Sequence, residues 1–197
     1  LVVSPDGERL LAVNTPNNSL AIFSLSDPSL PVLQAEIPVG SEPVSVAIES
    51  TDKVWVVNHV SDSISVVSLT RGAVIRTIHV GDRPSDIVFA GNPPKAYVSC
   101  MTDRTVLVID PLEYAHVATI SVPGDSPRGL LASEDGMTVW VAISRSGNKT
   151  TIAPHTAASE PPAPQNVSLP LAPRQGMIVD VEDPDWQSLH VTLPDND

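Results

Sequence analysis

The sequence predicts an all-β fold built from repeated four-stranded sheets, and three observations lead to that prediction. A string like VGSEPVSVAI occurs three times, with its prolines Pro43, Pro84 and Pro127 lying 41 and 43 residues apart. A second, strand-like string starts at residues 10, 54, 96 and 139, which gives spacings of 44, 42 and 43 residues. No segment keeps a helical period of apolar residues. Four short strands in a repeat of about 42 residues are typical of one blade of a β-propeller.

The second repeat shows its four strands most clearly, because each is a short β-branched run bounded by turn residues. We expect these strands at about 44–49, 53–58, 63–69 and 73–80. SPDG at 4–7 and SEDG at 133–136 predict hairpin turns between the first and second strands of a blade, and Arg71-Gly72 predicts one between the third and fourth. The expected repeats lie at about 1–40, 41–81, 82–124 and 125–153. The propeller region is therefore 1–153, with about three and a half four-stranded blades of a larger propeller.

The end of the chain, 154–197, differs in composition from the repeats. Residues 151–197 hold 8 of the 20 prolines and lose the repeat period. Such a stretch buries too little apolar surface to order itself. We expect a proline-rich linker or an insertion from the fourth blade, in which 177–179 and 189–193 form a short hairpin; a mobile acidic tail is the alternative.

Composition and charge exclude several classes of function. The chain carries 23 acidic and 11 basic residues, a net charge of −12, which disfavours nucleic-acid binding. The single cysteine cannot form an internal disulfide or a four-thiolate zinc site. The longest apolar runs are too short to span a membrane. Because the sequence begins Leu-Val-Val without a methionine, we expect a fragment or processed piece.

The candidate ligand-binding residues lie in two sets of loops that meet on one face of a propeller, where such folds carry their function. We predict that this loop face binds a ligand through Asn58, His59, Asp62, Asp82, Arg83, Asp103 and Arg128. A structural role is the alternative for each: asparagine and aspartate bond their own turn backbone, and Asp82, Arg83 and Arg128 form local ion pairs.

His59 stands out in this set because histidine titrates near neutrality and is the commonest metal ligand. No other histidine shares its spacing, and HExxH, CxxCH, GxSxG and glycine-rich phosphate motifs are missing from the sequence. We therefore predict no catalytic residue, no metal site and no cofactor within these residues. Cys100, at a strand end on the same face, is either a reactive thiol or a small hydrophobe.

The strings VWVVNHVSDSISVVSL and VGDRPSDIVF resemble the YVTN-type propeller repeat. Asn14 and Asn58 occupy the asparagine position of that motif, and the third unit departs from it with Ser99-Cys100. The resemblance covers about residues 1–153 and implies a seven-bladed propeller in a bacterial or archaeal secreted or surface protein. The amino-acid sequences of the first three blades also resemble those of bacterial propellers fused to c-type cytochrome or peroxidase-like domains.

Together these features predict a non-catalytic propeller scaffold that binds a protein or a small polar ligand through its loop face. The resemblance implies an extracellular, cell-surface or periplasmic location, and the remaining blades of the parent chain are expected partners. The alternative is the propeller part of a larger redox enzyme with a c-type haem domain elsewhere in the chain, or a lactonase-like hydrolase. Whether the protein is an enzyme stays open at this point.

Overall fold

A computed structural model describes residues 1–145, which form three four-stranded sheets and one two-stranded sheet. Each sheet is an antiparallel meander of consecutive strands, and we number the sheets as blades 1 to 4. Blade 1 contains β1 (Val2–Val3), β2 (Arg9–Asn14), β3 (Ser19–Ser24) and β4 (Val32–Pro38). Blade 2 contains β5 (Pro43–Ile48), β6 (Lys53–Asn58), β7 (Ser63–Ser68) and β8 (Ala73–His79). Blade 3 contains β9 (Pro84–Ala90), β10 (Lys95–Cys100), β11 (Thr105–Asp110) and β12 (Ala115–Ser121). Blade 4 contains β13 (Asp125–Ala132) and β14 (Val139–Arg145).

The predicted strands and turns agree with this architecture. All four strands of blade 2 begin and end within one residue of their predicted positions. In the SPDG and SEDG turns, the Gly7 amide donates to the Ser4 carbonyl and the Gly136 amide to the Ser133 carbonyl, each at 2.8 Å. Both glycines have positive φ, +74° and +69°, which explains why glycine occupies these positions. The tail predicted at 154–197 lies outside the described residues.

Blades 1 to 3 have a pairing irregularity at the same place. The pairing between third and fourth strands shifts register between Ile22 and Phe23, Val66 and Val67, and Val108 and Ile109. These positions lie 44 and 42 residues apart, in step with the sequence repeat. A bulge adds local twist to an antiparallel pair, so each blade acquires the same twist.

The middle strands of blade 2, β6 and β7, are buried on both faces, which explains the apolar run 54–57 of β6. One face packs Val54 and Val56 of β6 into a core shared with blade 1. The other face packs Trp55 and Val57 into a core shared with blade 3, where Trp55 meets Phe89 edge to face at 5.5 Å. Because successive side chains of a strand point to opposite faces, burial on both faces favours apolar residues at successive positions.

The first strands of successive blades lie beside one another, β1 next to β5, β5 next to β9 and β9 next to β13. They are the inner strands, which in a propeller surround the central axis. Pro43 and Pro84 begin β5 and β9, and both are buried with Pro127 of β13. Within residues 1–145, no helix is long and apolar enough to cross a membrane.

Candidate functional site

The loop face is built on a backbone conformation that recurs twice in each repeat. Seven residues other than glycine have positive φ values, from +46° to +58°, among the described residues, and all of them except Tyr114 lie in the loops of this face. The first group, Asn18, Asp62 and Arg104, immediately precedes the third strands of blades 1 to 3. The second group, Glu42, Arg83 and Ser126, immediately precedes the repeat prolines. Left-handed backbone is costly for these residue types, so surrounding contacts must hold it.

Hydrogen bonds between the two groups supply that support. The Glu42 amide donates to Asn18 Oδ1 at 2.8 Å, and the Arg83 amide donates to Asp62 Oδ1 at 2.9 Å. In the third repeat, Arg104 replaces the acceptor and its guanidinium contacts the Asp125 carboxylate at 3.3 Å. The Asp62 carboxylate therefore stabilises the backbone of Arg83, the residue that precedes the next inner strand, β9.

A second contact of this kind runs beside the first. The Asp82 amide donates to Asp103 Oδ2 at 2.8 Å, as the Ser41 amide donates to Ser61 Oγ at 3.1 Å one blade earlier. Gly81 lies so close to this contact that a Cβ atom there would sit 2.3 Å from Asp103 Oδ2. The Asp103 carboxylate therefore has a structural partner in the Asp82 amide. A side chain at position 81 would disturb this contact.

Asn58 lies inside this loop structure and not on its surface. Its side chain is fully buried, and Nδ2 donates to Ser65 Oγ at 3.0 Å and Ser63 Oγ at 3.3 Å. Its Oδ1 has no hydrogen-bond partner among the described residues. The expectation that Asn58 bonds its own turn is wrong, because the residue ends β6 and braces β7.

Cys100 occupies in blade 3 the register that Asn58 occupies in blade 2. Its side chain is fully buried, and this burial raises the pKa of the thiol to about 12. A thiol with so high a pKa is almost entirely protonated near neutrality, so it is a poor nucleophile. Of the two roles considered for Cys100, the structure therefore favours a small buried hydrophobe over a reactive thiol.

His59 is oriented by the neighbouring blade. Its Nδ1 lies 2.9 Å from the Pro84 carbonyl oxygen, which only accepts hydrogen bonds. Nδ1 therefore carries the proton, and in the neutral ring Nε2 is left as an acceptor. Thr15 makes the same contact one blade earlier, with its hydroxyl donating to the Pro43 carbonyl at 2.7 Å.

A cleft of about 390 Å³ opens beside His59, among the inner strands of blades 2, 3 and 4. We call it the channel mouth. It is lined by Glu42, Val44, Ser45, His59, Ser85, Asp86, Arg128 and Gly129. A volume in this range accommodates a small molecule.

Asp86 ties the three inner strands together at the channel mouth. Its Oδ1 accepts the Ser45 hydroxyl of β5 at 2.5 Å and the Ile87 amide at 2.9 Å. Its Oδ2 accepts the Leu130 amide of β13 at 2.8 Å. Both carboxylate oxygens therefore have partners from the protein.

The channel mouth contains two of the seven predicted ligand-binding residues, His59 and Arg128. The side chains of Asp62 and Asp103 brace the loops, Asn58 is buried, and Asp82 and Arg83 are exposed outside the cleft. The ion pairs expected for Asp82, Arg83 and Arg128 are wrong, since the pairs within residues 1–145 join other residues: Lys53 with Glu49, Lys95 with Asp110, and Arg104 with Asp125.

Sequence reasoning missed Ser45 and Asp86. Both lie two residues after a repeat proline, at the position where blade 4 has Gly129. Aligning the three proline strings would have placed these residues at one register of the inner strands. Within the described part of the chain, no three histidine, cysteine, aspartate or glutamate side chains group as metal ligands would.

The meandering four-stranded sheets, the repeated bulges and the adjacent inner strands define these residues as blades of a β-propeller. Solved structures support the fold. Hydrazine synthase from Kuenenia stuttgartiensis aligns with a TM-score of 0.68 and 30% sequence identity over 74% of this chain and 41% of that chain. A 6-phosphogluconolactonase-like protein from Bacteroides uniformis aligns with a TM-score of 0.61 and 16% identity over 72% of this chain and 46% of that chain.

The chain thus spans less than half the length of either structure. The sequence matches no protein-family model, and a search of curated proteins finds no match.

Proposed function

We propose that these blades form a non-catalytic binding module, whose ligand site is the channel mouth on the loop face. The observation that carries the proposal is the convergence of His59, Arg128 and Glu42 on one cleft of about 390 Å³. Their backbones are fixed by contacts within and between blades, whereas Arg128 and Glu42 are exposed to solvent. A site whose frame is rigid and whose charged groups are accessible suits binding.

Ligand-observed NMR with a panel of small polar molecules tests this proposal. The full chain is expected to give saturation-transfer signals from some members of the panel. Arg128→Glu should remove those signals, and Arg83→Glu should keep them because Arg83 lies on the same face outside the cleft. Signals that survive Arg128→Glu, or a panel without any binder, would contradict the proposal. Turnover of a lactone by the purified chain would contradict its non-catalytic part.

A second candidate function is the propeller part of a larger redox enzyme. It is favoured by the 30% identity to hydrazine synthase and by the resemblance to propellers fused to c-type cytochrome domains. The haem would lie in another part of the parent protein. A pyridine haemochrome spectrum of the full-length protein from its native source tests this candidate. A c-type spectrum is expected, and a protein without haem would remove the candidate.

The remaining blades of the parent chain are the proposed partners of the open side of this arc. Apolar side chains stay exposed on blades 3 and 4, with Val117 of β12 at 52%, Leu131 at 64% and Trp140 at 54%. A further blade would cover such surface, as blade 3 covers Trp55. The YVTN-type resemblance supports a secreted, cell-surface or periplasmic location. The fluorescence of Trp140, taken as the difference between the full-length protein and its Trp140→Phe variant, should resist quenching by iodide, and full quenching of that difference would refute this contact.

A further inference from the structure

The charged groups at the channel mouth differ in whether the protein already occupies their hydrogen-bonding sites. Asp86 has both oxygens engaged by hydrogen bonds from Ser45, Ile87 and Leu130. A carboxylate committed in this way holds the blades together and has little capacity left for a ligand.

The Arg128 side chain has no partner among the described residues. The residue follows Pro127 on β13, and its carbonyl accepts the Ser99 hydroxyl at 2.6 Å, which fixes the backbone. Its side chain is exposed and makes no ion pair or hydrogen bond within residues 1–145. The next residue is Gly129, so no side chain stands beside the guanidinium at that position. A planar guanidinium presented in this way suits a carboxylate.

Glu42 provides the opposite charge in the same cleft. Its amide donates to Asn18 Oδ1 at 2.8 Å, and its carbonyl accepts the His59 amide at 2.9 Å. The carboxylate is exposed, and no hydrogen bond to it occurs in the described part of the chain. When the His59 ring is neutral, it adds Nε2 as an acceptor, because Nδ1 lies 2.9 Å from the Pro84 carbonyl oxygen and donates to it.

The groups of the cleft with open hydrogen-bonding sites are therefore the Arg128 guanidinium, the Glu42 carboxylate and, in the neutral ring, His59 Nε2. A purely anionic ligand would leave Glu42 facing a like charge, and a purely cationic ligand would do the same to Arg128; like-charge contacts are unfavourable. A ligand with both charges matches both groups. Resting on the proposed function of the channel mouth, we propose that this cleft binds a small zwitterion, with its carboxylate on Arg128 and its ammonium group toward Glu42 and His59 Nε2.

Isothermal titration calorimetry of the full chain at low ionic strength tests the ligand class with three probes of similar size. The probes are 4-aminobutyrate, butyrate and butylamine. We expect 4-aminobutyrate to bind at least tenfold more tightly than either of the other two. Equal affinity for butyrate and 4-aminobutyrate would overturn the role of Glu42, and equal affinity for butylamine and 4-aminobutyrate would overturn the role of Arg128.

Matched variants test the two contacts separately. Arg128→Gln and Glu42→Gln should each weaken 4-aminobutyrate binding at least tenfold. Arg83→Gln and Asp82→Asn are the controls, because both residues are exposed in the same kind of loop but lie outside the cleft. Circular dichroism checks that all four variants fold. Equal losses from the Arg128 and Arg83 variants would refute the proposed contact.

The outcomes also separate this inference from the proposed function. If 4-aminobutyrate does not bind while another class of molecule binds in an Arg128-dependent way, the zwitterion assignment fails and the binding module stands. If no molecule binds at the channel mouth, both fail.

Discussion

Replacing Asp86 with alanine removes the carboxylate that joins the inner strands of blades 2, 3 and 4. Two of its hydrogen bonds cross between blades, from the Ser45 hydroxyl and the Leu130 amide. A hydrogen bond to a charged group contributes about 1.5–3 kcal/mol. Asp86 is partly exposed, so the lower end applies, and two lost bonds give a destabilisation of about 3 kcal/mol. Asp86→Asn keeps one acceptor oxygen and should lose about half as much.

Urea unfolding of the full chain, followed by circular dichroism, measures this change as a lower transition midpoint at an unchanged slope. Ser85→Ala is the matched control, since among the described residues the hydroxyl of Ser85 makes only a long 3.5 Å contact, with the Arg83 carbonyl just before the strand. Hydrogen exchange provides a local readout, because the Leu130 amide should exchange faster in Asp86→Ala while blade 1 amides stay unchanged. Equal midpoints for the Asp86 and Ser85 variants would refute the bracing role.

Three further predictions concern the loops and turns. Gly81→Ala should destabilise the fold by about 1–3 kcal/mol in the same unfolding assay, because its Cβ would displace the Asp103 carboxylate from the Asp82 amide and press on the buried Cys100 Sγ at 3.0 Å. Gly129→Ala, whose Cβ would have its nearest neighbour at 3.7 Å, is the control, and equal costs would contradict the close approach. Cys100 should not react with Ellman's reagent at pH 8 until the protein is unfolded, since burial raises its pKa to about 12; rapid native reaction would contradict that burial. Hydrogen bonds from Thr70 lower the pKa of Asp52 below its ordinary value of 3.8. This contribution to stability is present above pH 3.8 and is lost as the pH falls through the lowered pKa, so Asp52→Asn should flatten the acid decline in urea midpoint, and an unchanged decline would refute it.

The repeat made the strands predictable from sequence. Each strand is a local pattern, and the doubly buried strands β6 and β7 carry apolar residues on both faces, so their limits were predicted within one residue. The prolines predicted to start the inner strands do so for β5 and β9. Such features depend on neighbours in the chain, which a sequence displays directly.

The candidate site was less predictable, because its contacts cross between blades. Asp86 bonds Leu130, 44 residues away, and His59 bonds the Pro84 carbonyl, 25 residues away. The left-handed backbone at Arg83 was also not predicted, since arginine has no preference for that conformation and the contacts that hold it come from other loops: its amide donates to Asp62 and its carbonyl accepts the Met101 amide. Because the site was predicted from turn composition, the prediction included residues that stabilise the loops, such as Asp62 and Asp103, and omitted Ser45 and Asp86, which line the cleft.

Crystals of the full chain soaked with small polar molecules test the central claim most directly, because they show where a ligand lies. We expect ligand density at the channel mouth, in contact with Arg128 and within hydrogen-bond distance of His59 Nε2. Density found only at other surfaces, with an open and empty channel mouth in every soak, would contradict it.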